Sequence, residues 1–277
     1  MGRQDEKKRG EERALALVSG ASSGIGRAVS RRLMELGYEV YGIGRDFGEW
    51  EAANRKTPGA AGTERMGTGI PQTEAWLYAG SVFHPIRCDL LDSERLPALL
   101  EPIRRTGRLR LLVNNAGAAY YGLHEMQTAA QIREMLRTNL ETPMLLTQFF
   151  LRGIRERQGC IVNISSVTAM HSSPHAAVYA ASKAGLLSFS RSLFEELRKH
   201  GVRVVSILPD LTETELYRNA DFRPGSAPEE HLLPEEVADA VAYAVSRRPG
   251  LLVSELVLRP QKNRIERRGK EKSTAAE

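Results

Sequence analysis

Short, continuous apolar segments alternate with longer amphipathic segments along most of this 277-residue chain. The apolar segments are typical of parallel strands covered on both faces, and the amphipathic ones are typical of connecting helices. This alternation predicts an α/β fold, a single doubly wound domain with a seven-stranded, mostly parallel sheet and helices on both faces. The predicted strands are Leu15–Ser19, Tyr38–Ile43, Val82–Arg87, Leu109–Asn114, Cys160–Ile164, Arg203–Leu208 and Leu252–Leu258, and the predicted helices are Ile25–Leu36, Thr128–Arg157, Tyr179–Lys199 and Pro234–Ser246.

The domain is expected to span residues 14–260, between charged, flexible tails at 1–13 and 261–277. Of the net charge of +5, the first tail carries +1 and the second +3, so the domain itself is nearly neutral. A neutral domain argues against a nucleic-acid partner. Residues 46–80 contain six glycines and two prolines without a sustained period, which indicates either a surface insertion or a lid over a bound ligand.

The composition excludes several classes of protein. Two cysteines, Cys88 and Cys160, each lie in a strand-like segment, so a disulfide framework is excluded. No apolar segment approaches the roughly 20 residues of a membrane span. The N-terminal sequence MGRQDEKKRGEER lacks the apolar stretch of a signal peptide. We therefore expect a cytoplasmic protein with no membrane partner and no metal.

A glycine-rich turn joins the first predicted strand to the first predicted helix, with the spacing G-x-x-x-G-x-G. Glycines let backbone N–H groups approach a phosphate closely, and the helix N-terminus adds partial positive charge. Such a turn alone also occurs as an ordinary tight turn, but a strand before it and a helix after it favour a phosphate site. The candidate phosphate-binding residues are Gly20, Ser22, Ser23, Gly24, Ile25 and Gly26.

Further motifs follow the turn in a fixed order and make the chain resemble the short-chain dehydrogenase/reductase family from about Leu15 to Pro260. The resemblance implies a Rossmann fold, a nicotinamide dinucleotide cofactor and a small carbonyl or alcohol substrate. It also implies that Asp89 contacts adenine, and that Asn115, Ala116 and Gly117 line the cofactor. The alternative for Asn115 is a purely structural role that ties neighbouring strands together. The motif residues are Asp89, the run Asn114-Asn115-Ala116-Gly117, Asn139, Ser166, Tyr179 and Lys183.

The end of the second strand bears on the choice between NAD and NADP. By resemblance, an acid that selects NAD would stand at Gly44, which has no side chain to repel a phosphate. The planar guanidinium of Arg45 suits the 2′-phosphate of NADP. The alternative is that Arg45 is a solvated charge and Asp46 binds the ribose. We predict NADP(H), with Pro209 and Thr214 also near the cofactor by resemblance.

Tyr179 and Lys183 lie one helical turn apart and share a face. A lysine ammonium favours the phenolate and lowers the pKa of a tyrosine, which ordinarily lies near ~10. The pair therefore predicts a tyrosine that exchanges a proton near neutral pH, although such pairs also occur on ordinary helix surfaces. By resemblance, Ser166 hydrogen-bonds the substrate oxygen, and Ser165 is its neighbouring rival.

Asn139 lies four residues before Pro143 in the long predicted helix. Because proline has no N–H, the carbonyl of Asn139 loses its helical partner, and a freed carbonyl in a helix usually binds water. The resemblance implies that this water links Lys183 to solvent as a proton relay. The alternative is a simple kink.

Asp210 stands where the family usually has glycine, and we interpret it as a turn cap or a substrate contact. Residues 210–233 resemble a substrate loop that is short and polar, with little apolar surface for a large substrate.

The sequence thus predicts an NADP(H)-dependent oxidoreductase for carbonyl or alcohol substrates, with Tyr179 as general acid/base. We expect a homodimer through the helices Thr128–Arg157 and Tyr179–Lys199, or a homotetramer. The alternatives are a non-catalytic NADP-binding sensor or scaffold and an NAD-dependent dehydrogenase.

Overall fold

A computed structural model describes residues 13–48, 50, 76–78 and 81–267. The strands are β1 Leu15–Ser19, β2 Glu39–Gly44, β3 Trp76–Tyr78, β4 Ser81–Arg87, β5 Leu109–Asn114, β6 Cys160–Ile164, β7 Arg203–Pro209, β8 Phe222–Pro224, β9 Glu255–Leu258 and β10 Ile265–Arg267. The α-helices are α1 Gly24–Glu35, α2 Arg95–Thr106, α3 Ala129–Leu136, α4 Thr142–Glu156, α5 Ala177–Leu197 and α6 Pro234–Val245.

The main sheet has the strand order β3-β4-β2-β1-β5-β6-β7-β9. The seven predicted strands are all present and pair in parallel, which confirms the predicted fold class. The sheet gains an eighth strand, β3, which pairs antiparallel with β4 and lies inside the predicted insertion. Since β1 has β2 on one side and β5 on the other, the strand order reverses there and opens a crevice at the carboxyl ends.

The continuous apolar character of the strands follows from burial on both faces of the sheet. In β1, Ala16 and Val18 belong to the core beneath α1 and α6, whereas Leu15 and Leu17 belong to the core beneath α2, α4 and α5. Successive side chains of a strand point to opposite faces, so a strand covered on both faces is apolar at successive positions and lacks the alternation of polar and apolar residues.

The long helix predicted over Thr128–Arg157 is not continuous. Thr128 caps α3 through a capping box with Gln131. A π-helical turn, Arg137–Glu141, then separates α3 from α4, and the N–H of Thr142 donates to the carbonyl of Arg137. Pro143 follows this turn and supplies no N–H.

Two predicted boundaries need correction. Within the predicted insertion 46–80, Phe47 and Trp50 are fully buried, and Trp50 stacks on Phe83 at 4.3 Å. These two residues belong to the core, and the greater part of the insertion lies outside the described residues. The predicted flexible tail begins too early, because Ile265–Arg267 pairs with Phe222–Pro224 as β10 and β8. The tail of residues 1–13 also lies outside the description, apart from its last residue.

No helix in the described ranges is long and apolar enough to cross a membrane.

Candidate active site

A cavity of about 1170 Å³ opens at the carboxyl ends of the central strands. A single small-molecule site typically occupies ~300–1,000 Å³, so this cavity has room for a dinucleotide and part of a substrate. Asn139 is fully buried beside the cavity rather than in its wall. All other predicted site residues line it: Gly20, Ser22, Ser23, Gly24, Ile25, Gly26, Arg45, Asp89, Asn115, Ala116, Gly117, Ser166, Tyr179, Lys183, Pro209 and Thr214.

The glycine-rich turn leads directly into α1. Gly20 has a φ of +66° and Gly24 a φ of +49°, conformations that favour glycine. A Cβ on Gly26 would lie 2.0 Å from the carbonyl oxygen of Gly20, so the turn closes only with glycine there. The N-cap side chain of Ser23 makes no capping hydrogen bond, and the first turn of α1 contains no acid. This arrangement suits an anion at the start of the helix and fits a dinucleotide pyrophosphate.

Asn115 fixes the glycine-rich turn to the end of β5. Its side-chain amide donates to the carbonyls of Ser19 at 2.9 Å and Gly20 at 3.2 Å. The hydroxyl of Ser19 accepts in return from the backbone N–H groups of Asn115 and Ala116. The side chain of Asn115 therefore holds the cavity wall in place, and its amide nitrogen is already used in hydrogen bonds to the backbone.

The second strand ends at Gly44 beside the turn. A Cβ on Gly44 would lie 2.8 Å from the Cβ of Ser22 and 3.1 Å from the ring of Phe47. An acid at this position would therefore displace the wall of the cavity. Arg45 follows with an exposed side chain at the cavity edge. At the end of β4, Asp89 lines the same edge and accepts a hydrogen bond from the N–H of Leu91 at 2.9 Å.

Tyr179 lies in the first turn of α5 and is buried together with Ser166. Burial raises the pKa of Tyr179 to about 12, while a hydrogen bond from the Ser166 hydroxyl acts in the opposite direction. The spacing of Tyr179 and Lys183 predicts a lowered pKa, but desolvation is the larger effect and the pKa is raised instead. The rival Ser165 is occupied, since its hydroxyl donates to the carbonyl of Lys183 at 3.1 Å.

Lys183 lies one turn further along α5, with its Nζ 5.8 Å from the centroid of the Tyr179 ring. Its ammonium donates to the carbonyl of Ile164 at 2.8 Å. Full burial lowers the pKa of Lys183 to about 8. The lysine therefore changes charge close to physiological pH and lies beside the tyrosine.

The side chain of Asn139 holds three elements together. Its Oδ1 accepts from the N–H of Ala118 at 2.8 Å, and its Nδ2 donates to the carbonyl of Ala118 at 2.9 Å. The same Nδ2 donates to the hydroxyl of Ser182 at 3.0 Å, and Ser182 donates to the carbonyl of Tyr179 at 2.7 Å. Asn139 and Ser182 thus connect the π-helical turn to the helix of Tyr179.

An aromatic cluster, Tyr121, Tyr217 and Phe222, lies beside Tyr179 where the predicted substrate loop 210–233 borders the cavity, called here the substrate end. The centroid of Tyr121 lies 6.1 Å from that of Tyr179, 5.9 Å from that of Tyr217 and 5.0 Å from that of Phe222. Burial raises the pKa of Tyr121 and of Tyr217, so both rings are neutral near pH 7. The substrate end of the cavity is therefore more apolar than the sequence of 210–233 predicts.

The loop after β7 closes the cavity on its other side. A Cβ on Gly24 would lie only 3.1 Å from the side chain of Thr214, so Thr214 lies against the glycine-rich turn. Asp210 caps its own turn by accepting from the N–H of Leu211 at 2.9 Å, and it also accepts from the side chain of Asn263 at 3.3 Å. The cap interpretation of Asp210 matches this geometry.

Sequence reasoning missed Ser182, Ile265 and Arg267. Ser182 has a weak signal, since a serine inside a helix often bonds to a carbonyl of the preceding turn. Ile265 and Arg267 line the cavity from β10, and their sequence context has no pattern that predicts this position.

Within the described part of the chain, no group of three or more His, Cys, Asp or Glu side chains is placed to hold a metal ion.

The fold, the glycine-rich turn and the buried serine, tyrosine and lysine define a dinucleotide-binding oxidoreductase of the Rossmann type. The model of the family described as short chain dehydrogenase matches residues 14–223. The chain therefore belongs to the short-chain dehydrogenase/reductase family, as the resemblance predicts, and it is an NAD(P)-dependent oxidoreductase acting on CH–OH or C=O groups.

Relatives match along nearly their whole length. Dehydrogenase/reductase SDR family member 11 of Bos taurus is 30% identical over 262 residues, which cover 89% of this chain and 95% of that protein. The 3-oxoacyl-(acyl-carrier-protein) reductase FabG of Escherichia coli (strain K12) is 30% identical over 252 residues, which cover 88% and 94%. A crystal structure of a metagenomic short-chain oxidoreductase in complex with NADP is 30% identical, with coverages of 89% and 97% and a TM-score of 0.69.

Proposed function

We propose that this protein is an NADPH-dependent carbonyl reductase in which Tyr179 protonates the substrate oxygen. One observation carries the proposal: buried Ser166, Tyr179 and Lys183 lie in the same cavity as the phosphate-binding turn. A sensor or scaffold has no need of a buried tyrosine bonded to a serine and a buried lysine beside it. NADPH, when bound, supplies the hydride for the carbonyl carbon.

The protonation state of Tyr179 favours the reductive direction. With a pKa raised to about 12, the phenol keeps its proton at neutral pH and is ready to donate it. Ser166 donates a second hydrogen bond to the same substrate oxygen and holds it in line with the phenol. The negative charge left on Tyr179 is then stabilised by the ammonium of Lys183.

The proton lost from Tyr179 must be replaced from solvent. Lys183 lies beside Tyr179, and burial lowers its pKa to about 8, which allows both charge states near neutral pH. The carbonyl of Asn139, which Pro143 deprives of a helical partner, is the proposed holder of a water that connects Lys183 to solvent. The side chain of Asn139 contributes differently, by fixing Ser182 and the first turn of α5.

The preference for NADPH over NADH rests on Gly44 and Arg45. The packing around Gly44 leaves no space for an acid, and Arg45 offers a guanidinium at the edge where the 2′-phosphate would lie. The related oxidoreductase solved with NADP supports the same choice. Arg45→Ala is expected to raise the KM for NADPH about 10-fold or more without raising the KM for NADH. Equal effects on both cofactors would contradict the role of Arg45.

A spectrophotometric screen tests the proposed activity. NADPH oxidation is followed at 340 nm with ketones, aldehydes, keto sugars and 3-oxoacyl thioesters, and the screen is repeated with NADH. We expect turnover with NADPH for at least one carbonyl class. Tight NADPH binding without oxidation by any carbonyl would favour the sensor instead, and a preference for NADH would favour the NAD-dependent dehydrogenase.

A homo-oligomer, dimer or tetramer, is the proposed assembly. Leu136, Met144 and Leu145 are exposed on α3 and α4, the elements predicted to form the dimer contact. A dimer contact through these elements would cover the exposed apolar side chains.

A further inference from the structure

The C-terminal segment Arg259–Arg267 lies against the substrate end of the cavity. Its strand β10 pairs antiparallel with β8, with Ile265 opposite Pro224 and Arg267 opposite Phe222. The family match ends at residue 223, so this segment lies beyond the part of the chain that the match covers. The match therefore ends within β8 and does not cover β10.

The two faces of the β8–β10 ribbon differ. Directly opposed residues of an antiparallel pair lie on the same face, and alternate residues share that face. Glu266 and Arg223 form an ion pair at 2.8 Å on the outer face. The inner face carries Phe222, Pro224, Ile265 and Arg267. Phe222 packs against Tyr121 of the aromatic cluster, so this inner face is directed toward Tyr179.

The ribbon is fixed in place by several contacts. The N–H of Gly225 donates to the carbonyl of Arg264 at 2.9 Å, and the N–H of Lys262 donates to the carbonyl of Glu229 at 2.7 Å. The ammonium of Lys262 pairs with Glu229 at 3.0 Å, and Arg264 pairs with the buried Glu230 at 3.3 Å. A wall held this firmly presents its inner side chains to a ligand in a defined position.

Two arginines of the segment line the cavity, and each differs from the arginines that fix the ribbon. Arg259 donates to the Nε2 atom of His171 at 2.9 Å. Because Nε2 carries no proton when it accepts this bond, His171 does not neutralise the positive charge of Arg259. Arg267 takes part in none of the ion pairs that hold the described ribbon. Among the acids of the cavity wall, Asp210 is already bonded to Leu211 and Asn263.

We propose that Arg267 binds a carboxylate on the substrate, so that the preferred substrate is an aryl or similarly flat apolar carbonyl compound with a carboxylate remote from the carbonyl. The apolar body packs against the aromatic cluster and Ile265, and the carbonyl oxygen reaches Tyr179. The carboxylate accepts hydrogen bonds from the planar guanidinium, which matches its geometry. This inference rests on the proposed carbonyl reductase activity and names the substrate class of that site.

Matched pairs of substrates test the inference. Acetylbenzoates with the carboxylate at each ring position, together with their methyl esters, are assayed for NADPH oxidation. The wild-type protein is expected to prefer at least one acid over its ester in kcat/KM, mainly through KM. Arg267→Gln is expected to reduce this acid-to-ester ratio about 10- to 100-fold, and Arg267→Lys to restore part of it.

A charge-matched control and a binding measurement complete the test. Arg152→Gln removes the same charge from the exposed surface of α4 and is expected to leave the ratio unchanged. Calorimetric titration of the matching hydroxyethylbenzoate into the protein with saturating NADP⁺ is expected to show the same loss of affinity in Arg267→Gln.

The possible failures are distinguishable. Turnover without any acid preference, or a ratio that Arg267→Gln leaves unchanged, overturns this inference alone. Absence of NADPH oxidation with every carbonyl overturns the proposed function and this inference together.

Discussion

Burial of the Lys183 ammonium should oppose folding, and replacing this lysine by methionine isolates the effect. Burial lowers the pKa of Lys183 from its ordinary 10.5 to about 8. Between these two pH values the unfolded chain binds more protons than the folded protein, so the free energy of unfolding rises with pH. Lys183→Met fills similar space without a charge and lacks this pH dependence.

The size of the effect follows from the two pKa values. From pH 7 to pH 10, the free energy of unfolding of the wild type should rise relative to Lys183→Met by about 2 to 3 kcal/mol. Loss of the hydrogen bond to the carbonyl of Ile164 lowers the stability of the variant by a constant amount. Because this loss is the same at every pH, it does not affect how the stability difference between wild type and Lys183→Met changes with pH.

Urea unfolding followed by circular dichroism measures the effect at pH 7, 8, 9 and 10. Lys199→Met, a change of an exposed lysine in the short turn after α5, is the matched control and is expected to give a difference from wild type that does not change with pH. A flat difference for Lys183→Met as well would refute the reasoning, since it would mean that the ammonium of Lys183 is as well solvated in the folded protein as in water.

Three further substitutions test other parts of the structure. Gly26→Ala places a Cβ against the carbonyl of Gly20, and we expect a loss of about 1–3 kcal/mol in urea unfolding together with weaker NADPH binding by fluorescence titration. Ser182→Ala removes the bridge between Asn139 and Tyr179, and it is expected to lower the free energy of unfolding by about 1–3 kcal/mol and to reduce kcat more than it raises KM. Leu145→Glu introduces a charge on the exposed face of α4 and is expected to shift light-scattering mass toward the monomer; an unchanged mass would place the interface elsewhere.

The local sequence pattern was sufficient to predict the central strands of the fold. The bounds of β1, β5 and β6 agree with the sequence prediction because each strand is buried on both faces and ends at a polar or glycine-containing turn. The cofactor cavity was predictable for a related reason: its residues follow directly after these strands, and the carboxyl ends of parallel strands meet at one edge.

The substrate end was less predictable, because it depends on contacts between distant segments. β8 and β10 are three-residue strands that lie about 40 residues apart, and neither has an alternating pattern long enough to indicate pairing. The raised pKa of Tyr179 likewise comes from burial by the tertiary structure, which the spacing of Tyr179 and Lys183 does not reveal. The burial of Trp50 also required the structure, since Trp50 packs on Phe83 from a glycine-rich segment.

The central claim is that Tyr179 protonates a carbonyl oxygen during NADPH-dependent reduction. The most direct measurement is kcat for NADPH oxidation, with a carbonyl substrate found in the screen, in wild type, Tyr179→Phe and Tyr243→Phe. Tyr243 is half exposed on α6 and controls for loss of a phenol hydroxyl elsewhere. We predict that Tyr179→Phe lowers kcat by about 10²- to 10⁴-fold while Tyr243→Phe retains the wild-type value. A Tyr179→Phe protein with wild-type kcat would contradict the account.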